Sequence, residues 1–186
     1  MGIIEIISIA VGLAMDAFAV SICKGLALGK LTIKHYLIVG VWFGGFQALM
    51  PLLGYLLGTS FSSYIRQFDH YVAFVLLAII GANMIKEALE ADSCDKDSAS
   101  LGFAVMLMMA VATSIDALAV GVTFAFYKLN IIVSVLLIGT ITFVISALGV
   151  KIGSIFGTKY KRKAEFFGGS ILIILALKLL LEGIIA

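Results

Sequence analysis

Proline, cysteine, histidine and charged residues are all scarce in this sequence. Its 186 residues include one proline, two cysteines and two histidines, and only 13% of them are charged. With 62% hydrophobic residues, the chain lacks the polar surface that a soluble domain needs. The mean hydropathy of +1.18 agrees. The composition therefore indicates an integral membrane protein, for which we expect a lipid bilayer and no nucleic acid as partner.

Motifs for nucleotide-driven chemistry are also missing. The sequence has no Gly-rich Walker stretch and no aspartate in a phosphorylation motif. We therefore predict no enzymatic activity and no cofactor, and nothing in the sequence indicates an obligate protein partner. If the protein is a transporter, its energy must come from an ion gradient, most simply from inward protons.

Six apolar segments are long enough to cross about 30 Å of hydrocarbon as helices. They cover roughly residues 3 to 24, 36 to 58, 70 to 89, 102 to 126, 131 to 153 and 166 to 186. The connection 87–101 (EALEADSCDKDSASL) is polar and acidic, which indicates a solvated linker. It separates residues 1–86 from residues 102–186, with three helices in each half. The sequence thus predicts an all-α membrane protein with six transmembrane helices.

Basic residues are concentrated on one side of these predicted spans. The connections after the first, third and fifth helices contain Lys24, Lys30, Lys34, Lys86, Lys96, Lys159, Lys161, Arg162 and Lys163, whereas the opposite side has Arg66 and Lys128. The positive-inside rule then predicts a multi-pass protein of the inner (cytoplasmic) membrane with both termini outside. The first segment lacks a basic leader and a clear cleavage site, so we expect a retained span. Cys23 and Cys94 fall on the cytoplasmic side, where thiols stay reduced, and no disulfide is expected.

A short motif recurs once in each half of the chain. Residues 14–20 read AMDAFAV and residues 114–120 read SIDALAV, which places Asp16 and Asp116 in the first helix of each half. In the second helices, Gly40, Gly54 and Gly58 align with Gly139, Gly153 and Gly157, so that Gln47 falls opposite Ser146. Because three helices is an odd number, such a duplication inverts the second copy. We therefore predict two inverted three-helix repeats, which is a transporter architecture.

An ionised aspartate at the centre of a bilayer costs roughly 2.5 to 3.5 kcal/mol or more, so Asp16 and Asp116 indicate a functional site. Both lie past the middle of their helices and could meet across the pseudo-two-fold axis. Two carboxylates with neutral oxygens would suit a hard divalent cation such as Mn²⁺ or Mg²⁺. The candidate metal ligands are Asp16, Asp116, Gln47, Thr113, Ser114, Ser146 and Asn83.

Structural roles for these residues are the alternatives. One aspartate could form a buried ion pair with Lys178, and Lys178 could instead pair with Glu182. Gln47 and Asn83 could form hydrogen bonds between helices without binding metal.

The sequence resembles the MntP-type manganese efflux pumps over essentially its whole length. The resemblance lies in four stretches: MDAFAVSICKG at 15–25, FQALMPLLG at 46–54, TSIDALAVG at 113–121 and KAEFFGG at 163–169. It implies Mn²⁺ export from the cytoplasm, with Asp16 and Asp116 as essential acids. Some members have Glu where this chain has Gln47. Related families with the same six-span plan export amino acids or other metals, and these are the alternative functions.

Overall fold

The computed structural model of the protein consists of helices joined by short connections. It describes residues 2–28, 31–65, 69–89, 100–127, 129–156 and 160–185. The helices are α1 (Ile3–Leu28), α2 (Ile33–Ile65), α3 (Asp69–Leu89), α4 (Phe103–Phe126), α5 (Ile131–Phe156) and α6 (Lys161–Ile185). No strand occurs within the described ranges. The prediction of an all-α membrane protein with six helices is confirmed.

Four of these helices, α1, α2, α4 and α5, are long and apolar enough to cross a membrane. In α3 and α6 the apolar stretches among the described residues are shorter, at Phe74–Asn83 and Phe166–Lys178. Large aliphatic side chains such as Ile4, Ile33 and Ile132 are exposed on the outside of the bundle, as expected for surfaces that contact lipid.

The end of α1 differs from the sequence prediction. The helix extends one turn further, to Leu28, so that Lys24 lies inside it and not in a connection. Lys24 is fully buried, and its Nζ donates a hydrogen bond to the carbonyl of Ser100 at 2.8 Å, just before α4. A buried ammonium group needs such partners, because desolvation would otherwise be very costly. Lys24 therefore joins the two halves of the chain at this end of the bundle.

The prediction about the cysteines is wrong for Cys23, which is disulfide-bonded and buried. The prediction used the compartment alone, and the compartment carries no information on the distance between thiols. Cys94 lies outside the described residues, and so does most of the predicted linker, residues 90–99.

Glycines let the helices of the two halves pack with their backbones in contact. A Cβ at Gly153 would lie 2.0 Å from the carbonyl oxygen of Ile22, which joins α5 to α1. A Cβ at Gly54 would lie 2.0 Å from the carbonyl oxygen of Leu118, which joins α2 to α4. Such close approach between membrane helices requires residues without a side chain. The main helix pairs are therefore α1 with α5 and α2 with α4.

These glycine contacts occur as matched pairs. Gly149 packs on Phe18 as Gly54 packs on Leu118, where Phe18 and Leu118 each follow the motif aspartate by two residues. Between α2 and α5, Gly44 packs on the carbonyl of Gly139 and Gly139 on the carbonyl of Gly44. The packing therefore makes Gly149 the counterpart of Gly54. The alignment predicted from the sequence paired Gly54 with Gly153, which lies about one helical turn further along α5. When the same offset is applied to the rest of the two helices, Thr142 is the counterpart of Gln47 and Ser146 is the counterpart of Pro51.

Candidate metal site

The structure brings the two motif aspartates together. Asp16 on α1 and Asp116 on α4 are partly buried, and their carboxyl groups lie within hydrogen-bonding distance of each other. A hydrogen bond between two carboxyl groups requires a proton between them, because ionised carboxylates only accept. The pair can therefore exist either with a shared proton or around a cation that takes the proton's place.

Gln47 extends from α2 toward the turn of α1 that precedes Asp16. Its side chain is 1% exposed, and its Nε2 donates a hydrogen bond to the carbonyl of Leu13 at 3.0 Å. The amide oxygen, Oε1, is buried and has no hydrogen-bond partner within the described part of the chain. The hydrogen bond between helices thus orients the amide and leaves its oxygen available to a cation.

Two hydroxyl groups on α5 behave differently from the others in the bundle. Thr142 and Ser146 are four residues apart on one face, both are fully buried, and neither Oγ atom has a hydrogen-bond partner among the described residues. Buried Ser and Thr side chains in helices usually donate to a carbonyl one turn earlier. The buried hydroxyls of Ser21, Ser114 and Thr123 do so. Because buried polar atoms normally have a partner, we expect the oxygens of Thr142 and Ser146 to bind water or a metal ion.

The position of this α5 face is set by glycines at both ends. Gly139 packs on Gly44 and Ala48 of α2, and Gly149 packs on Phe18 and Ser21 of α1. Since Thr142 and Ser146 lie between these contacts along α5, they occupy the face that packs against both helices. Thr142 was not among the predicted site residues. Thr142 is identified by the register of the helix packing, which makes it the counterpart of Gln47 in the other half of the chain.

The hydroxyl groups of Thr113 and Ser114 donate to carbonyls of their own helix. Thr113 Oγ1 lies 3.0 Å from the carbonyl oxygen of Met109, and Ser114 Oγ lies 2.6 Å from that of Ala110. Their hydrogens are thus used within α4, while the oxygen lone pairs remain able to accept or to coordinate. Both residues adjoin the Asp116 turn, as the motif predicts.

The other two predicted residues lie apart from this set. Asn83 is exposed on α3, so the structure does not place it in the buried site. Lys178 on α6 forms an ion pair with Glu5 on α1, and the two side chains are 49% and 15% exposed. Glu5 is a partner that the sequence analysis missed. The predicted alternative, Glu182, has a side chain outside the described part. Lys178 therefore belongs to an ion pair near the start of α1.

The donor set as a whole is small and oxygen-rich. Among the residues that the structure describes, no three His, Cys, Asp or Glu side chains group to hold a metal. The candidate centre instead combines two carboxylates, Asp16 and Asp116, with neutral amide and hydroxyl oxygens. Oxygen ligands with two negative charges suit Mn²⁺ or Mg²⁺ better than Zn²⁺ or Cu⁺, which prefer nitrogen and sulfur.

Along most of its length the chain is similar to the proteins of one family. Residues 30–180 match the family model described as "Putative manganese efflux pump". A relative from Acetivibrio thermocellus named as the manganese efflux pump MntP is 54% identical over 98% of this chain and 92% of its own length. Relatives of the same name from Desulfitobacterium hafniense and Campylobacter jejuni are 54% and 53% identical, over 98% of this chain and 96% and 97% of their own lengths.

No solved structure matches the chain. The family assignment therefore rests on the match of sequence, which covers most of the residues that form the candidate site. The stretch from Gln47 to Ser146 lies wholly within the matched range, and Asp16 lies within the full-length matches. The chain belongs to the MntP family of manganese efflux pumps.

Proposed function

We propose that this protein exports Mn²⁺ from the cytoplasm across the inner membrane, with both termini outside. One observation carries the proposal: the carboxyl groups of Asp16 and Asp116 meet inside a bundle of apolar helices. Two carboxylates balance the charge of one divalent cation, which removes much of the cost of holding either charge in the membrane. The name of the relatives supports Mn²⁺ as the cargo.

The proposed coordination shell has a charged part and a neutral part. Asp16 and Asp116 supply the charge. The neutral oxygens come from Gln47, Thr142 and Ser146, whose side-chain oxygens have no partner in the described structure. Because these oxygens are already buried, a bound ion would replace an existing energetic penalty with coordination bonds. Thr113 and Ser114 lie close enough in sequence to Asp116 to complete the shell.

The helix directions support a transport mechanism with two inverted repeats, residues 1–86 and 102–186. Gly54 and Gly58 of α2 contact Leu118 and Val122 of α4 in the same order, so these helices run parallel. The contacts of Gly40 and Gly44 with Phe143 and Gly139 run in opposite order, so α2 and α5 are antiparallel. Helices that cross a membrane in alternating directions give this parallel pair and this antiparallel pair. Inverted repeats built from such helices allow the site to open to either side in turn.

Protons are the proposed counter-ion. In the metal-free site, the hydrogen bond between the two carboxyl groups holds a proton, and Mn²⁺ must displace it to bind both oxygens. Protons that enter from outside would in turn release the metal. An inward proton gradient would thus drive export without a nucleotide.

Flux in proteoliposomes tests the proposed function. Purified protein should move Mn²⁺ when a pH gradient is imposed, and should move it much more slowly without the gradient. Mg²⁺, Zn²⁺ and Cd²⁺ assayed in parallel give the selectivity, and liposomes without protein give the background. Absence of Mn²⁺ flux together with flux of an amino acid would contradict the proposal in favour of the alternative exporter function.

The neutral part of the site is tested by Thr142→Val. This change removes a hydroxyl that has no described partner and keeps the side-chain shape, so thermal stability should stay the same or rise. Mn²⁺ transport should weaken, with a KM raised by about fivefold to tenfold for loss of one neutral ligand.

Thr123→Val is the matched control, because Thr123 is also fully buried but its hydroxyl donates to the carbonyl of Ala119. It should leave the KM for Mn²⁺ unchanged. Equal KM values for the two variants would remove Thr142 from the proposed shell.

A further inference from the structure

A groove with a volume of about 410 Å³ lies between α1, α5 and α6, apart from the polar oxygens of the candidate metal site. This volume is within the range of about 300 to 1,000 Å³ that small-molecule sites occupy. Its lining is mainly aromatic, with Phe18, Ile152, Phe156, Tyr160, Lys163 and Phe167. We call it the aromatic groove.

The chemistry of the aromatic groove is that of an amphipathic ligand site. Four of the residues named carry aromatic rings, and Lys163 is the one charged residue in the lining. The Nζ of Lys163 lies 5.7 Å from the centre of the Tyr160 ring, a distance at which the ring attracts the cation and holds it near the rim. The groove thus offers an apolar slot with a positive charge at one end.

The aromatic groove opens toward lipid at the cytoplasmic end of the bundle. Phe156 ends α5, and Tyr160 and Lys163 lie at the start of α6, in the connection that the distribution of basic residues places inside. Phe156 and Phe167 are 53% and 55% exposed, so the slot is reached from the side of the bundle. This exposure gives a lipid of the surrounding bilayer access to the slot from the side.

We propose that the aromatic groove binds an anionic phospholipid of the cytoplasmic leaflet. An acyl chain would lie in the slot against Phe18 and Ile152, and the headgroup phosphate would contact Lys163. Charge complementarity favours this occupant: the sequence around Lys163, KYKRK at 159–163, is strongly basic, and anionic headgroups attract such clusters. A zwitterionic lipid such as phosphatidylcholine also carries a phosphate, but its headgroup has no net charge, so Lys163 and the basic residues around it attract it less strongly.

One helix, α1, would connect the bound lipid to the transport site. Met15, which also lines the aromatic groove, is next to Asp16 in α1 and is only 9% exposed. A chain held against α1 at this level would limit how far α1 can move from α6. The lipid-binding property itself does not depend on the proposed function, because retention of lipid is measured without transport.

Native mass spectrometry with equal amounts of phosphatidylglycerol and phosphatidylcholine tests the proposal. The wild-type protein should retain phosphatidylglycerol in preference to phosphatidylcholine by about fivefold, the effect of one lysine near an anionic surface. Lys163→Gln should remove most of this preference. Lys34→Gln is the matched control, because Lys34 is an exposed lysine in the first turn of α2, on the same predicted side but outside the groove.

Ile152→Trp provides a second variant, since it fills the slot without changing charge. It should lower retention of both lipids while Lys163 remains in place. Equal retention of the two lipids by the wild-type protein would overturn the proposal. The same holds if Lys163→Gln and Lys34→Gln reduce the preference equally, or if Ile152→Trp retains as much lipid as the wild type.

Discussion

Asp116→Asn is expected to reduce Mn²⁺ flux by about a hundredfold or more, and Asp16→Asn should do the same. In the metal-bound state the cation would lose one of its two charged partners, which costs about 3 to 5 kcal/mol at a buried site, and each 1.4 kcal/mol is a factor of ten in binding. The variants should still fold. With one carboxyl group replaced by an amide, the pair keeps a hydrogen bond and loses one ionisable group from the membrane, so thermal stability should not fall. The measurement is initial flux in proteoliposomes under an imposed pH gradient.

Glu5→Gln is the matched control for this charge change. Glu5 also lies in α1, but in its first turn, about three helical turns before Asp16, and it pairs with Lys178 of α6. We expect a small change in stability and flux within a few-fold of the wild type. Flux through Asp116→Asn comparable with that of the Glu5→Gln control would exclude the carboxyl pair as the transport site.

Gly54→Val is expected to prevent assembly of the bundle. Even the Cβ of the new side chain would lie 2.0 Å from the carbonyl oxygen of Leu118, and the nearest atoms are backbone, which cannot rotate away. Inserting atoms into a packed interior typically costs about 1 to 3 kcal/mol, and more where backbones must separate. The fraction of protein that elutes as a monodisperse peak in mild detergent should fall sharply, with a lower thermal transition in any protein that remains.

Gly45→Val gives the control on the same helix. No atom lies within 4 Å of a Cβ built at Gly45, which is exposed on α2. The same added volume should therefore be tolerated there, and replacing glycine within a helix favours the helical backbone. If both variants behave alike, close packing of α2 on α4 is not what holds the bundle together.

The fold and the acidic pair could be predicted because they depend on strong, local signals. Apolar runs interrupted by few charges define the helices, and the Asp-Ala-x-Ala motif marks both Asp16 and Asp116. Helix boundaries depend on contacts that are distant in sequence: α1 continues through Lys24 because its ammonium group is satisfied by the carbonyl of Ser100, 76 residues away. Sequence patterns carry no information on such a contact.

The neutral part of the candidate site was predicted only in part. Gln47 and Ser146 stand out as polar residues on glycine-rich faces, whereas Thr142 resembles the many hydroxyl residues that bond within their own helix. Glycines recur on α5 at positions 139, 149 and 153, so more than one register with α2 fits the sequence. The contacts of Gly54 with Leu118 and of Gly149 with Phe18 select between these registers, and they become visible only when the helices are packed.

The glycine contacts also decide which parts of the molecule can move together. The closest backbone approaches, which include Gly153 to Ile22, Gly25 to Val150 and Gly54 to Leu118, each join one helix from the first half of the chain to one from the second. Neither half can therefore swing as a separate rigid arm without first breaking these contacts. The contact of Gly44 with Gly139 joins α2 to α5 as well, but a Cβ built there would lie 2.7 to 3.0 Å from the facing carbonyl oxygen, so this approach is less close. Asp16 and Asp116 lie on different close pairs, α1 with α5 and α2 with α4, so any motion that separates these pairs changes the gap between the two carboxyl groups.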